Sequence, residues 1–165
     1  MRAHGTLRLV HGAFSGAWAW ERIAAELSHA GHRATAIDLP GGGADETPAA
    51  GVTLDAYAAR ICEALAADPE PAILAGHSMG GVAVTQAVAP FATPVSIPAG
   101  ALDGLRRAYV RCLQDRAIAP ALRRRMIAEN PWVEVAEIDT GHSPYLSAPA
   151  ELLVALERFA ALVDA

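Results

Sequence analysis

Hydrophobic and polar positions follow two different periods along this chain. Short apolar runs, typical of strands, occur at residues 7–10, 33–39, 71–75, 108–113 and 133–138. Apolar residues at helical spacing occupy residues 18–29, 53–67, 82–88, 121–129 and 149–163. We expect Thr53 to cap the second of these helices and Gly31 to close the first. The apolar composition of residues 71–75 predicts a strand that is buried on both faces. Strands that alternate with helices through short connections predict an α/β fold, with a mostly parallel sheet flanked by helices. We see neither repeats nor a linker, so we expect one domain over residues 1–165.

Composition and charge argue against several classes of protein. The 165 residues are 53% hydrophobic and 19% charged, which is too apolar for a disordered chain. The formal net charge of −5 argues against a nucleic-acid-binding protein, which usually has a basic excess. No run reaches the roughly 18 apolar residues of a membrane span. Residues 1–10 lack the apolar core and cleavage site of a secretory signal. We therefore expect a cytoplasmic protein with neither nucleic-acid nor membrane partners.

One motif in the chain points to nucleophilic catalysis. Gly76-His77-Ser78-Met79-Gly80 matches G-x-S-x-G and lies between a predicted strand and a predicted helix. In that context small residues around the serine allow a sharp turn, which exposes the hydroxyl at the carboxyl end of the strand. The alternative interpretation is an ordinary glycine-rich turn. We predict that Ser78 is the nucleophile.

A nucleophilic serine needs a base, and the base needs an acid that orients it. His142 follows the last predicted strand, so we expect it at the carboxyl edge of the sheet; the alternative is a surface loop histidine. Asp115 follows the preceding strand and is expected at the same edge. Asp103 precedes that strand, and Asp139 is interpreted as closing the last one. The chain order Ser78, Asp115, His142 is the one expected for this architecture.

An oxyanion is stabilised by two backbone N–H groups. We predict Met79, which follows the nucleophile, and Ala13 in the loop after the first strand, where Gly12 allows a close backbone approach. The alternative there is an ordinary strand-to-helix turn. The run Arg123-Arg124-Arg125 favours a solvated helix face over an anion site. No His, Cys or carboxylate cluster has metal-ligand spacing, so we expect neither a metal nor a cofactor.

Several segments form a combination that is far more specific than any single motif. They are residues 9–18 (LVHGAFSGAW), 31–32, 36–39, 76–81, 109–116 (YVRCLQDR) and 141–144 (GHSP). Together they resemble the α/β-hydrolases related to plant methyl esterases and hydroxynitrile lyases. The resemblance implies a triad of Ser78, Asp115 and His142 and an oxyanion hole formed by Ala13 and Met79, in agreement with the interpretation of the residues themselves.

The chain departs from that family between the nucleophile and the acid. Asp115 follows Ser78 after only 37 positions, in a region where the family usually has a core strand and a long helical cap. Residues 90–104 are too few for such a cap, although residues 93–97 are a candidate remnant strand. We therefore expect a minimal, capless α/β-hydrolase with an open site and broad selectivity. A homodimer is one way to cover the apolar surface that a missing cap leaves bare.

These observations predict a serine hydrolase that acts on small carboxylic esters through an acyl-enzyme. The resemblance implies that lyases carry threonine after the first-loop histidine and lysine after the catalytic histidine. This chain has Gly12 and Ser143 there, which disfavours hydroxynitrile lyase chemistry. The other alternative is a non-catalytic module that binds a small ligand or a protein on the same scaffold. A binding module would need no catalytic triad.

Overall fold

The computed structural model describes residues 5–68, 70–88, 102–132 and 134–162. The chain comprises two compact units, an N-terminal unit (His4–Asp103) and a C-terminal unit (Gly104–Ala165 with Met1–Ala3). Within each unit the strands are parallel and are connected through helices. The predicted α/β class with parallel strands and flanking helices is therefore confirmed. A single domain over residues 1–165 stays a prediction.

Three parallel strands form the sheet of the N-terminal unit, in the order β2–β1–β3. The strands are β1 (Thr6–Val10), β2 (Arg33–Ile37) and β3 (Ala72–Gly76), and the helices are α1 (Glu21–His29), α2 (Leu54–Ala66) and α3 (Met79–Val88). The strands end in register, because Val10 lies opposite both Ile37 and Gly76. The loops that follow β1 and β3 therefore start side by side at one edge of the sheet.

The core of the N-terminal unit is built on its central strand. All five residues of β1 are buried, as expected for a parallel strand with neighbours on both sides. Val10 belongs to a buried cluster with Ile37, Ile61 of α2 and Ala83 of α3. Burying side chains of this size stabilises the fold by about 1.5–3 kcal/mol each. This packing holds the carboxyl ends of β1 and β3 against the start of α3.

Local signals set the helix ends in the N-terminal unit. Thr53 caps α2 as predicted, because its Oγ1 accepts a hydrogen bond from the Ala56 N–H at 3.1 Å. Gly31 has a φ of 96° and follows α1, as predicted for a closing glycine. The predicted helix over residues 18–29 is divided, because a 3₁₀ helix (Ala17–Trp20) precedes α1.

Two parallel strands form the sheet of the C-terminal unit: β4 (Ala108–Cys112) and β5 (Glu134–Ile138). Its helices are α4 (Pro120–Ala128), α5 (Pro144–Ser147) and α6 (Pro149–Ala161). The short helix α5 was not among the predicted elements. The strand pairing continues beyond Cys112, since the Leu113 and Gln114 N–H groups donate to the carbonyls of Ile138 and Thr140. The residues that follow β4 and β5 are thereby held side by side.

Of two further predictions about strands, one is wrong and one lies outside the described residues. The strand β3 was expected to be buried on both faces, but residues 72–75 are half-buried and Gly76 is exposed. The burial of a strand depends on which elements cover the two faces of its sheet. An apolar run in the sequence does not indicate those elements. The candidate remnant strand at residues 93–97 lies outside the described residues.

Candidate active site

The turn between β3 and α3 holds Ser78 in a strained backbone conformation. Ser78 has a φ of 52°, a region that residues other than glycine rarely adopt. A Cβ at Gly76 would lie 2.5 Å from the Gly80 carbonyl oxygen, and a Cβ at Gly80 would lie 2.6 Å from the Val10 carbonyl oxygen. Both contacts are too short for a side chain. The two glycines of the motif are therefore sterically required, and the turn presents Ser78 as an exposed residue.

The loop after β1 passes directly beside this turn. A Cβ at Gly12 would lie 3.2 Å from Ser78 Cβ and 2.9 Å from His77 Nδ1. The His77 N–H donates to the Val10 carbonyl at 3.0 Å, which joins the ends of β3 and β1. The structure thus brings the first loop, with the predicted oxyanion residue Ala13, next to the turn that holds Ser78. Met79, the other predicted oxyanion residue, is the first residue of α3.

His11 supports the first loop from within the unit. It is 3% exposed, and its Nε2 accepts a hydrogen bond from the Leu39 N–H at 3.0 Å. Since Nε2 accepts, Nδ1 carries the proton and donates to the Gly12 carbonyl at 2.8 Å. The neutral His11 ring makes two hydrogen bonds and thereby orients the loop. Sequence reasoning missed this role. The motif of the loop placed His11 near the site, but only the structure shows its partners.

Asp38 ties the same loop to the glycine-rich segment after β2. Its Oδ1 accepts from the Ala17 N–H at 2.6 Å, and its Oδ2 accepts from the Ala44 N–H at 3.2 Å. The glycine between these anchors is required, because Gly43 has a φ of 61° and a Cβ there would overlap the Asp38 carboxylate. The loop that carries Ala13 is therefore held at both of its ends.

The C-terminal unit brings Asp115 and His142 together. Asp115 Oδ2 lies 3.0 Å from His142 Nδ1. A carboxylate oxygen can only accept, so Nδ1 is the donor, and the lone pair of the neutral ring is on Nε2. This is the tautomer that a histidine base needs in order to take a proton through Nε2.

The Asp115 carboxylate is held in place by nearby backbone N–H groups as well as by His142. Its Oδ1 accepts from the N–H groups of Ala117 at 2.7 Å and Ile118 at 3.2 Å, and the residue is 7% exposed. Burial alone raises the pKa of Asp115, but the hydrogen bond from His142 and those from Ala117 and Ile118 together hold it below its ordinary value. Asp115 is therefore ionised at neutral pH.

Arg123 corrects one expectation from the sequence. The three arginines of α4 were predicted to form a solvated helix face, but Arg123 is 3% exposed. Its Nη1 donates to the Cys112 carbonyl, and its Nη2 donates to the Asp115 carbonyl at 2.9 Å. The buried guanidinium fastens the backbone around the acid. No sequence signal distinguishes Arg123 from Arg124 and Arg125, because the difference lies in which face of α4 packs on β4.

The loop that carries His142 is cross-linked by hydroxyl groups. Thr140 Oγ1 contacts Ser147 Oγ, and Ser147 Oγ donates to the Ser143 carbonyl at 3.1 Å. Asp139, the acid that sequence reasoning ranked behind Asp115, accepts from Gln114 Nε2 at 2.9 Å. The short helix α5 thereby fixes the residues that flank His142.

The structure places the predicted residues in both units. Ser78, Ala13 and Met79 lie in the N-terminal unit, and Asp115 and His142 lie in the C-terminal unit. Within the described ranges, no group of three or more His, Cys, Asp or Glu residues could hold a metal ion. Among the same residues, no helix combines the length and hydrophobicity needed to cross a membrane.

Comparison with known proteins shows which family the sequence matches. Residues 9–108 match the sequence model described as "Alpha/beta hydrolase family". Methylesterase 3 of Arabidopsis thaliana is 37% identical over 93 residues, which are 54% of this chain and 35% of that protein. Alpha-hydroxynitrile lyase of the same species is 38% identical over 92 residues, covering 54% and 36%. The chain thus spans about a third of the length of these curated relatives.

A solved structure supports the same assignment at the level of the fold. The crystal structure of a methylesterase protein, MES16 from Arabidopsis, matches with a TM-score of 0.83 over 94% of this chain and 98% of that chain. The two sequences are 20% identical, so this likeness concerns the fold alone. The predicted resemblance to plant methyl esterases and hydroxynitrile lyases is confirmed by the sequence relatives.

Proposed function

Because the chain belongs to the alpha/beta hydrolase family, we propose that it is a serine hydrolase that cleaves small carboxylic esters. Ser78 is the nucleophile, His142 is the base, and Asp115 orients that base. The observation that carries the proposal is the hydrogen bond between His142 Nδ1 and the buried Asp115 carboxylate. His142 in this tautomer has its basic lone pair on Nε2. The strained backbone at Ser78 is a second argument, because an Asp115–His142 pair with a purely structural role would not require it.

The proposed reaction is acyl transfer in two steps. The Ser78 hydroxyl attacks the ester carbonyl while His142 Nε2 takes its proton and then passes it to the leaving alcohol. The resulting acyl-enzyme is cleaved by a water molecule that His142 deprotonates, which releases the carboxylic acid and restores Ser78. The N–H groups of Ala13 and Met79 stabilise the oxyanion in both steps. All groups in this scheme belong to the chain, and the reaction requires no cofactor.

Two features of the N-terminal unit support the roles of Ser78 and Ala13. The φ of 52° at Ser78 is a conformation whose strain of about 1–3 kcal/mol persists only where the surroundings enforce it. Gly76 and Gly80 supply that enforcement through their close backbone contacts. The first loop lies beside Ser78 and is fixed by His11 and Asp38, so its N–H groups are preorganised.

We further propose that the enzyme lacks the helical cap of its relatives. Only residues 89–101 separate Val88, the end of α3, from the described C-terminal segment. A site without a cap accepts acyl groups of different lengths, and an exposed Phe14 beside Ala13 offers an apolar surface to them. We also predict a homodimer that covers such apolar surface. Sedimentation over a range of concentrations tests this prediction, and a monomer throughout that range contradicts it.

Hydrolysis of p-nitrophenyl acetate and butyrate tests the proposed chemistry. The wild-type chain is expected to release p-nitrophenol and to take up one fluorophosphonate label, measured by intact mass. Ser78→Ala should lose both, and Asp115→Asn should lower kcat by about 10³–10⁴-fold, since the wrong histidine tautomer then forms. Ser28→Ala is the matched control, because Ser28 is an exposed serine of α1 whose hydroxyl donates to the Ala24 carbonyl and has no other hydrogen bond among the described contacts.

Each outcome of this experiment has a separate meaning. Activity that survives Ser78→Ala contradicts Ser78 as nucleophile. Activity lost in Ser78→Ala but retained in both Asp115→Asn and His142→Asn contradicts the proposed base and acid. A wild-type chain that folds but neither hydrolyses the esters nor takes up the label would refute the esterase proposal and favour the binding-module alternative.

A further inference from the structure

A second candidate site lies in the N-terminal unit, and none of the residues of the proposed triad line it. It is a cavity of about 490 Å³ between the β1–β2 side of the sheet and the C-terminal half of α2. Ser78, Ala13 and Met79 do not line it. The polar lining residues are Arg8, Arg33, Thr35, Arg60 and Asp68. From this lining we propose that the cavity binds a small organic anion, with its carboxylate or phosphate group among the three arginines.

The charges that line the cavity do not cancel. Asp68 Oδ2 lies 2.9 Å from Arg8 Nη2 and 3.3 Å from Arg33 Nη2, so one carboxylate is shared by two guanidinium groups. Arg60 is a third cation in the lining. Asp45 is close enough to Arg60 to feel its charge, but Asp45 does not line the cavity. The lining therefore has an excess of positive charge that a bound anion would balance.

Arg8 is the feature that distinguishes this cavity from a surface ion pair. It is 8% exposed and lies on the central strand of the sheet. Its Nη1 donates to Thr35 Oγ1 at 3.1 Å and its Nη2 to Asp68, but its buried Nε has no hydrogen-bond partner among the described residues. Arg8 therefore adds a largely buried cation to the wall of the cavity, and an oxyanion accepts from guanidinium groups in a favourable geometry.

The remaining walls indicate the kind of anion. Ala36, Ile37, Ala64 and Ala67 are apolar and face the same space. A volume of about 490 Å³ exceeds what an inorganic ion fills and falls within the usual range for small organic ligands. The combination of arginines and apolar residues in one lining fits an anion with a compact apolar body.

Three small probes with the same ring test the proposal: benzoate, phenyl phosphate and the neutral benzamide. Binding is measured by ligand-detected NMR titration at constant ionic strength in the Ser78→Ala variant, so that ester turnover plays no part. Benzoate, phenyl phosphate or both should bind, and benzamide should not. The stronger of the two anions identifies the preferred group. Equal binding of all three probes, or of none, overturns the proposal.

Variants then locate the binding. Arg60→Gln should weaken anion binding by about tenfold or more, as expected for the loss of one charged donor. Arg22→Gln is the matched control, because Arg22 is exposed on α1 and does not line the cavity. Equal weakening by both variants would indicate general charge attraction and contradict the site.

Arg8→Met provides a second, independent test. This variant keeps a side chain of similar length while it removes the buried cation. We expect it to fold, as judged by circular dichroism, and to lose the anion response. If Arg8 serves only to pair with Asp68, Arg8→Met would change stability and leave probe binding unaltered, which would overturn the proposal. Ester hydrolysis by the same variants is a separate readout, so failure of this inference and failure of the proposed function are distinguishable.

Discussion

Two adjacent glycines of α3 should respond in opposite ways to the same substitution. A Cβ at Gly80 would lie 2.6 Å from the Val10 carbonyl oxygen and would also meet the His11 carbonyl oxygen. A Cβ at Gly81 would have the Gly76 carbonyl oxygen at 3.6 Å as its nearest neighbour, an ordinary contact. Gly80→Ala should therefore destabilise the N-terminal unit, and Gly81→Ala should stabilise it.

The difference in the free energy of unfolding between the two variants can be worked out from these contacts. To restore an ordinary contact of 3.4 Å from 2.6 Å at the Val10 oxygen, α3 must move from the end of β1 by at least about 0.8 Å, because the His11 carbonyl oxygen would be closer still. Overpacking of this kind costs about 1–3 kcal/mol. Replacing glycine by alanine within a helix gains up to about 1 kcal/mol, and this gain is shared by both variants. The difference between the two free energies of unfolding should therefore be about 1–3 kcal/mol.

Urea unfolding followed by far-UV circular dichroism measures this difference. With a slope of about 2 kcal/mol per molar urea, the midpoints of the two variants should differ by roughly 1 M. The displacement also moves the Ser78 turn, so kcat/KM for p-nitrophenyl acetate should fall by up to about 100-fold in Gly80→Ala. Equal midpoints for the two variants would refute the steric argument. If Gly80→Ala is less stable but keeps its kcat/KM, the displacement of α3 does not reach the proposed nucleophile, and that part of the argument is refuted.

Two further predictions concern the environment of the acid. The pKa of Asp115 lies below its ordinary value, so its ionised form stabilises the fold above the unfolded pKa of about 4, and this contribution is lost as the pH falls through the folded pKa. Asp115→Asn should thus be less stable than wild type in urea at neutral pH, with a difference that shrinks in acid; a difference independent of pH contradicts this. Arg123→Met should lower the free energy of unfolding by about 2–4 kcal/mol, because two buried carbonyls lose a charged donor. The exposed neighbour, tested as Arg124→Met, should stay within about 0.5 kcal/mol, and similar losses in both would place Arg123 on the solvated face after all.

Signals confined to neighbouring residues were read correctly from the sequence. Thr53 was predicted to cap α2, and Gly31 was predicted to close α1; both depend only on the chain within a few residues. The turn around Ser78 belongs to the same class in part: the Gly80 carbonyl oxygen, four residues away, requires the glycine at Gly76, whereas Val10 on β1 requires the one at Gly80. Asp115 and His142 were predicted to meet because each follows a strand, and parallel strands end at the same edge.

Features that depend on packing were missed or misread. Arg123 was assigned to a solvated face, since three successive arginines look alike and only the contact of α4 with β4 selects one of them. The half-burial of β3 could not be read from its apolar residues, because that burial depends on the elements that cover the strand. The helix α5 was missed because four residues are too few for a helical period.

The sequence by itself determined the alternation of the strands with the longer helices, the sharp turn at Ser78 and the family, because each is encoded in short-range patterns and motifs. The tertiary structure alone decided which polar side chains are buried and what they bond. It assigned the tautomer of His11, enclosed Arg123 behind the acid, and placed Arg8 in a cavity with Asp68. The physical reason is that burial and hydrogen bonding are properties of residues distant in the chain that folding brings together, and no local pattern encodes them.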